Sequence, residues 1–354
     1  MERRSSTASY DGAMGTYELI APLALEIDGI EYERATQTVS SGFERVATTI
    51  VVRGRGHEGR GEDICYTPSD HDLFPPPGSL GLGGSHTFAS ASQSLEAVAL
   101  FTGEPGMPAS RDYRRWAFES ALLDLALRQA GSTLGEVLGR EPAPVRFVVS
   151  TRDDIRSWLA VAPDLEFKVD PIPGEWSEAH MDALAATGRV RVADVKAHYV
   201  GTPVDTTPDA AFHRLVADRF PEAVIEDPSL SPDVLAALGD DLDRLSFDAP
   251  IHSLADVDAL PFAARHLNIK PSRFGPLSRL FECLDAGLER GIALYGGGQF
   301  ELGIGRGQIQ EIASLFHPDA PNDVAPPAYN APVPVAGLPR SPIAPPPRRP
   351  GFGW

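Results

Sequence analysis

Beyond about residue 140 the chain alternates short apolar runs with amphipathic ones. VRFVV (145–149), LEFKV (165–169), VRVADV (190–195), AVIE (223–226), RLSFD (244–248), HLNIK (266–270) and GIALYG (291–296) read as buried strands. Segments between them, such as SEAHMDALAATG and DAAFHRLVADRF, read as helices. Strand-then-helix repetition with apolar strands predicts a parallel sheet, and seven or eight such units predict a closed barrel over 140–325. A doubly wound open sheet is the competing architecture. It would place a glycine-rich turn after its first strand, where this chain has VVSTRDDI.

The first part of the chain has a different texture. Residues 1–15 are polar and predict a flexible leader. From Tyr17 to about Tyr66 the pattern is strand-like: ATTIVVRG (47–54) is β-branched and apolar, and GRGHEGRGE (54–62) reads as a glycine-rich turn. Residues 67–90, rich in Pro, Gly and Ser, read as a loop. RRWAFESALLDLALRQAG (114–131) repeats its apolar residues at helical spacing and closes on Gly131. Together these predict a small α+β domain over 16–135. At the other end, ten prolines fall between Pro326 and Pro350. That composition alone suggests disorder, but Phe352 and Trp354 favour an arm, 326–354, that docks back on the body.

Composition narrows the function classes. The 354 residues carry a net charge of −18, which argues against non-specific nucleic-acid binding. The two cysteines, Cys65 and Cys283, cannot build a disulfide framework or a cysteine-based zinc site, and they predict a reducing, cytoplasmic setting. The first residues lack a signal-peptide core, and no apolar run of about 18 residues predicts a membrane span.

The predicted strands end in chemistry. VRVAD ends in Asp194, AVIE in Glu226, RLSFD in Asp248 and HLNIK in Lys270, at spacings of 32, 22 and 22 residues. Such spacings match βα units, so the four residues would ring the C-terminal mouth, where barrels keep their active sites. Three converging carboxylates repel one another unless a cation lies between them, and hard oxygen donors favour Mg²⁺ over zinc. The plainer reading is that single acids such as Asp248 and Asp227 serve turns or helix caps.

These residues and their order resemble the enolase superfamily, on the side of muconate-lactonizing enzymes, dipeptide epimerases and mandelate racemase. GRGHEGRGE and AFESALLDLALRQAGSTLGEVLG resemble that family's cap-domain turn and Ala-rich helix. VIEDP resembles its second metal-ligand segment, NIKPSRFG its lysine strand, and YGGGQFELGIGRGQIQEIASLF its Gly-Gly…Glu segment. The resemblance covers nearly the whole chain. It implies a (β/α)7β TIM-like barrel with an N-terminal α+β capping domain completed by the C-terminal arm. It further implies that Asp194, Glu226 and Asp248 hold Mg²⁺, with Mn²⁺ as the alternative ion, and that Lys270 acts as one acid/base. The implied reaction removes the α-proton of a small carboxylate substrate through a metal-stabilised enediolate, as in a racemase, epimerase or cycloisomerase. Acid-sugar dehydration, a Schiff-base lyase built on Lys270 and a metal-binding pseudoenzyme are the alternatives. The family usually assembles into homo-oligomers.

The second base departs from the family pattern. Relatives with two-lysine chemistry carry Lys-x-Lys where this chain has EFKVD. Lys168, Asp170 and Lys196 are therefore the candidates opposite Lys270, with Lys168 first and Lys196 second; an ion pair with Asp194 or Asp170 is the alternative role for Lys196. By the same resemblance, Glu301 and Gly298 on the Gly-Gly…Glu segment would contact substrate or orient Lys270. Ser40, Ser41 and Phe43 in ATQTVSSGFERV (35–46) would gate it from the cap. The Gly-x-Gly-x-Gly of GIGRGQ lacks a dinucleotide-binding context and reads as the packing or anion-binding start of a helix.

Overall fold

A computed structural model describes residues 14–354 other than 153, 200, 201, 203–205 and 332, with the side chain of Ser41 also outside the description. Residues 1–13 of the expected leader thus lie outside the described residues. In the cap, β1 (Ala24–Ile27) pairs with β5 (Gly84–Thr87), and β2 (Gly29–Thr38), β3 (Glu44–Gly54) and β4 (His57–Asp63) form an antiparallel sheet in the order β2-β3-β4. The long helix Ser110–Ala130 lies across β4 and ends on Gly131, whose positive φ suits a glycine cap.

The stretch GRGHEGRGE is mostly strand rather than turn. Only Arg55 and Gly56 make the turn, both at positive φ, and β4 begins at His57. Its glycines serve packing. A Cβ on Gly59 would stand 2.2 Å from the Ala121 carbonyl oxygen, and one on Gly61 would stand 2.0 Å from that of Ala117. The helix backbone can lie directly on the strand only because those side chains are missing.

Seven parallel strands form the barrel wall: β6 (Val149–Thr151), β7 (Phe167–Val169), β8 (Val190–Asp194), β9 (Val224–Glu226), β10 (Leu245–Phe247), β11 (His266–Ile269) and β12 (Ala293–Gly296). Their spatial order is their chain order. The eighth position is filled by two residues. Asn322 bridges to Phe147 and Asp323 to Gly297, so one short segment joins β12 back to the start of β6. Asn322 fastens this seam. Its Oδ1 accepts from the Gly296 amide at 2.6 Å, and its Nδ2 donates to the carbonyls of Arg146, His317 and Ala320. The result is a TIM-like barrel of seven βα units and a vestigial eighth strand, capped by the α+β domain.

Among the contacts that join cap to barrel, two stand at the last helix. The Glu62 carboxylate on β4 accepts the amides of Leu302, Gly303 and Gly305, and so caps the helix Ile304–Phe316 from the other domain. The anion expected at GIGRGQ is thus the chain's own glutamate. The C-terminal arm supplies the second contact. Phe352 is fully buried with its ring edge-on to Trp116, its amide donates to Asp124, and the Gly353 amide donates to Glu311. A Cβ on Gly307 would meet the Trp354 carbonyl at 2.2 Å, so the arm lies flat against that helix. Among the described residues, no helix is long and apolar enough to cross a membrane.

Candidate active site

The parallel strands deliver their charged residues to one end of the barrel. Asp194 closes β8 and Glu226 closes β9, while Asp170, Asp248 and Lys270 stand one residue beyond β7, β10 and β11. Register sets their heights. Asp194 pairs with Glu226 and Glu226 with Ser246, which leaves Asp248 two residues nearer the mouth. Lys168 pairs with Val192, two residues below Asp194, so its stem rises toward the acids from beneath.

The carboxylates of Asp194, Glu226 and Asp227 are buried and have oxygens within 4.8 Å of one another. Lys168 Nζ stands 3.1 Å from Asp194 Oδ2 and also bonds Glu226 Oε1. Glu226 Oε2 accepts from Tyr295 Oη at 2.5 Å and Asn268 Nδ2 at 3.1 Å. Burial, only partly offset by Lys168, pushes the Glu226 carboxyl up to about 8, with the charge of Asp194 adding to it. Burial and the nearby charges of Asp248 and Asp194 raise Asp227 to about 7. Burial opposes ionisation of Asp194 as well, but Lys196 and Lys168 hold it well below the usual carboxylate range. Lys168 stays charged despite its burial because Glu226 and Asp194 face it.

Asp248 belongs to a second knot. Its carboxylate meets Lys270 Nζ at 2.7 Å and Arg273 Nε at 2.9 Å, and it accepts from Tyr199 Oη at 3.0 Å. Despite its burial, Arg273 and Lys270 hold its carboxyl well below the ordinary range. Asp227, at positive φ, accepts the amides of Asp248 and Ala249 and shapes the turn that presents Asp248. The turn role weighed for it from sequence is the one its hydrogen bonds describe.

Lys196 also adopts a positive φ, and its ammonium lies between Asp194 Oδ2 at 2.5 Å and Asp170 Oδ1 at 3.3 Å. Arg152 holds the other oxygen of Asp170 at 2.9 Å. Burial works against the charge on Lys196, yet Asp170 and Asp194 raise it above the ordinary lysine value. Its geometry is that of an ion pair. Glu301 accepts the Gln299 amide and pairs with Arg306 at 2.9 Å, which makes it part of the turn before the last helix. The adjacent glycines give room to the lysine: a Cβ on Gly297 would meet Lys270 Cε at 2.7 Å, and one on Gly298 would meet Glu301 and Arg306.

From the cap, the Phe43 ring packs edge-on against Phe300 at 5.3 Å. Ser40 lines a chamber of about 150 Å³ with Ser150, Thr151, Ser157, Trp158 and Tyr329. The structure therefore brings Phe43 and Ser40 to the barrel rim; the side chain of Ser41 is outside the described residues. Sequence reasoning missed Tyr199, Arg273, Asn268 and Tyr295. Asn268 had a signal, since it stands two residues before Lys270 on the same strand and shares its face.

The donor set suits a hard divalent cation. Asp194, Glu226 and Asp227 bring carboxylate oxygens within reach of one ion in a buried site, while Asp248 stands two residues nearer the mouth.

Two family profiles match the chain. The Domain of unknown function (DUF8230) N-terminal domain covers residues 18–137, and the Domain of unknown function (DUF8230) C-terminal domain covers 141–331. No curated protein matches it in sequence. Among solved structures, muconate cycloisomerase from Pseudomonas fluorescens superposes with a TM-score of 0.62 at 20% identity, covering 86% of this chain and 88% of that one. A member of the enolase superfamily from Roseovarius nubinhibens ISM superposes at 0.64 with 19% identity over 93% of each chain. A mandelate racemase/muconate lactonizing protein from Herpetosiphon aurantiacus superposes at 0.63 with 15% identity, over 88% of this chain and 91% of that one. Likeness at such identities speaks for the fold. The chain belongs to the DUF8230 family, and its fold is that of the enolase superfamily.

Proposed function

We propose that the protein is a Mg²⁺-dependent enzyme, with Mn²⁺ as the alternative ion, that abstracts the α-proton of a small carboxylate substrate. The carrying observation is the placement of Lys168 and Lys270 on β7 and β11, with the acids Asp194, Glu226 and Asp248 on the three strands between. A divalent ion held by those acids would supply the positive charge against which an enediolate develops. Lys270, at the mouth beside Gly297, is the base, and Lys168, from the far wall, is the proton donor. Proton removal from one side and delivery from the other is the chemistry of a racemase, epimerase or cycloisomerase. The test is solvent deuterium exchange into a panel of carboxylates with Mg²⁺ present. Exchange that stops on adding EDTA supports the reading, and no exchange with any of them would sink it.

A non-catalytic cation-binding role is the second reading. The tight pairing of Lys168 and Lys196 with carboxylates favours it, since both lysines are already spent on ion pairs. Mg²⁺ binding without exchange in that same panel would select it.

A further inference from the structure

We infer that Lys168 is a resident cation that a divalent ion must displace, so that the second barrel strand sets the metal affinity of the site; this rests on the metal-assisted reading above. The oxygens in question are Asp194 Oδ2 and Glu226 Oε1, and the Lys168 ammonium bridges them. The other sides of both carboxylates are taken. Asp194 Oδ1 accepts the Lys196 amide at 3.1 Å, and Oδ2 also meets the Lys196 ammonium. Glu226 Oε2 accepts from Tyr295 and Asn268. What remains between the two acids is the gap that the ammonium fills.

A divalent ion held by both carboxylates would need the oxygens that the ammonium now occupies. The Lys168 side chain is 2% exposed, so little water screens two cations placed there. One of them leaves. Lys196 differs although it carries the same charge: it reaches Asp194 from the Asp170 side and touches Glu226 nowhere among its ion pairs. Metal entry therefore competes with Lys168 for an oxygen of each acid, and with Lys196 for Asp194 Oδ2 alone.

The two lysines make the experiment decisive. Mg²⁺ is titrated calorimetrically into wild type, K168M, K168Q and K196M at one pH and ionic strength, with circular dichroism confirming the fold of each. Exchange predicts that K168M binds Mg²⁺ at least tenfold tighter than wild type, K168Q falls between them, and K196M gains less than K168M. Binding that appears only once Lys168 is removed supports exchange as well. Equal gains in K168M and K196M would reduce the effect to net charge and overturn it. So would affinity in both Lys168 variants that is no tighter than wild type. If wild type and all three variants bind no Mg²⁺, the metal-assisted reading itself falls, and exchange with it.

Discussion

Lys168 stands on β7 and Lys270 just beyond β11, four positions apart in a ring of seven strands and a two-residue eighth, so they lie on opposite sides of the barrel. In the proposed reaction, two ammonium groups so placed would address opposite faces of the intermediate. Lys270→Met should therefore lower solvent exchange of a substrate α-proton by at least about 100-fold, the range seen for loss of a positioned acid or base. Mg²⁺ affinity should change little. Exchange at the wild-type rate would remove Lys270 from the role of base.

The acids divide between holding an ion and holding the turn. Asp194→Asn and Glu226→Gln should each weaken Mg²⁺ binding about tenfold or more, because each removes a charged donor from a buried set. Asp248→Asn should do the same. Asp227→Asn should change affinity by less than about threefold, since its oxygens already accept the amides of Asp248 and Ala249. Calorimetry on the four variants reads this directly; the reverse ranking of Asp227 and Asp248 would assign the third donor to Asp227.

Gly297 gives a test of positioning. A Cβ there would stand 2.5 Å from Asn268 Oδ1 and 2.7 Å from Lys270 Cε, so Gly297→Ala must push the lysine stem aside. The expected result is a fall in kcat of about 100-fold with KM nearly unchanged, because a displaced group costs rate rather than binding. A change confined to KM would contradict it.

Stability should carry a pH signature from Glu311. Burial raises its carboxyl from 4.5 to about 7 in the folded chain, where it receives the Gly353 amide. The folded state then holds the proton more tightly than the unfolded one. The contribution is complete below the unfolded value and is lost as pH rises to about 7. Over that window, wild type should lose about 3 kcal/mol relative to Glu311→Gln, as the linkage relation gives for such a shift. Urea melts of both proteins between pH 5 and 8 measure it, and parallel curves would refute it.

The barrel was legible because each of its strands is an apolar run followed by a helix, and the strand-end charges were legible because the same period repeats them. β4 was misread as a turn because its glycines answer to the neighbouring helix, a tertiary demand that no local pattern records. The eighth strand is only Asn322 and Asp323, too short for any periodicity. Tyr199 follows β8 on a turn and Arg273 lies in the short helix Pro271–Phe274 after β11, so packing alone decides that both meet Asp248. Register raises Lys168 from below the acids and a left-handed backbone turns Lys196 into its ion pair, neither of which a local pattern records.

The burial of Phe352 against Trp116 bears on the order of synthesis. The ribosome makes the cap helix long before it makes Phe352, and the whole barrel lies between them. Until that residue emerges, Asp124 lacks one of the two amides it accepts and the Trp116 face lacks its cover. The cap, translated before the barrel, is therefore finished after it, and its apolar face stays uncovered throughout elongation of the barrel.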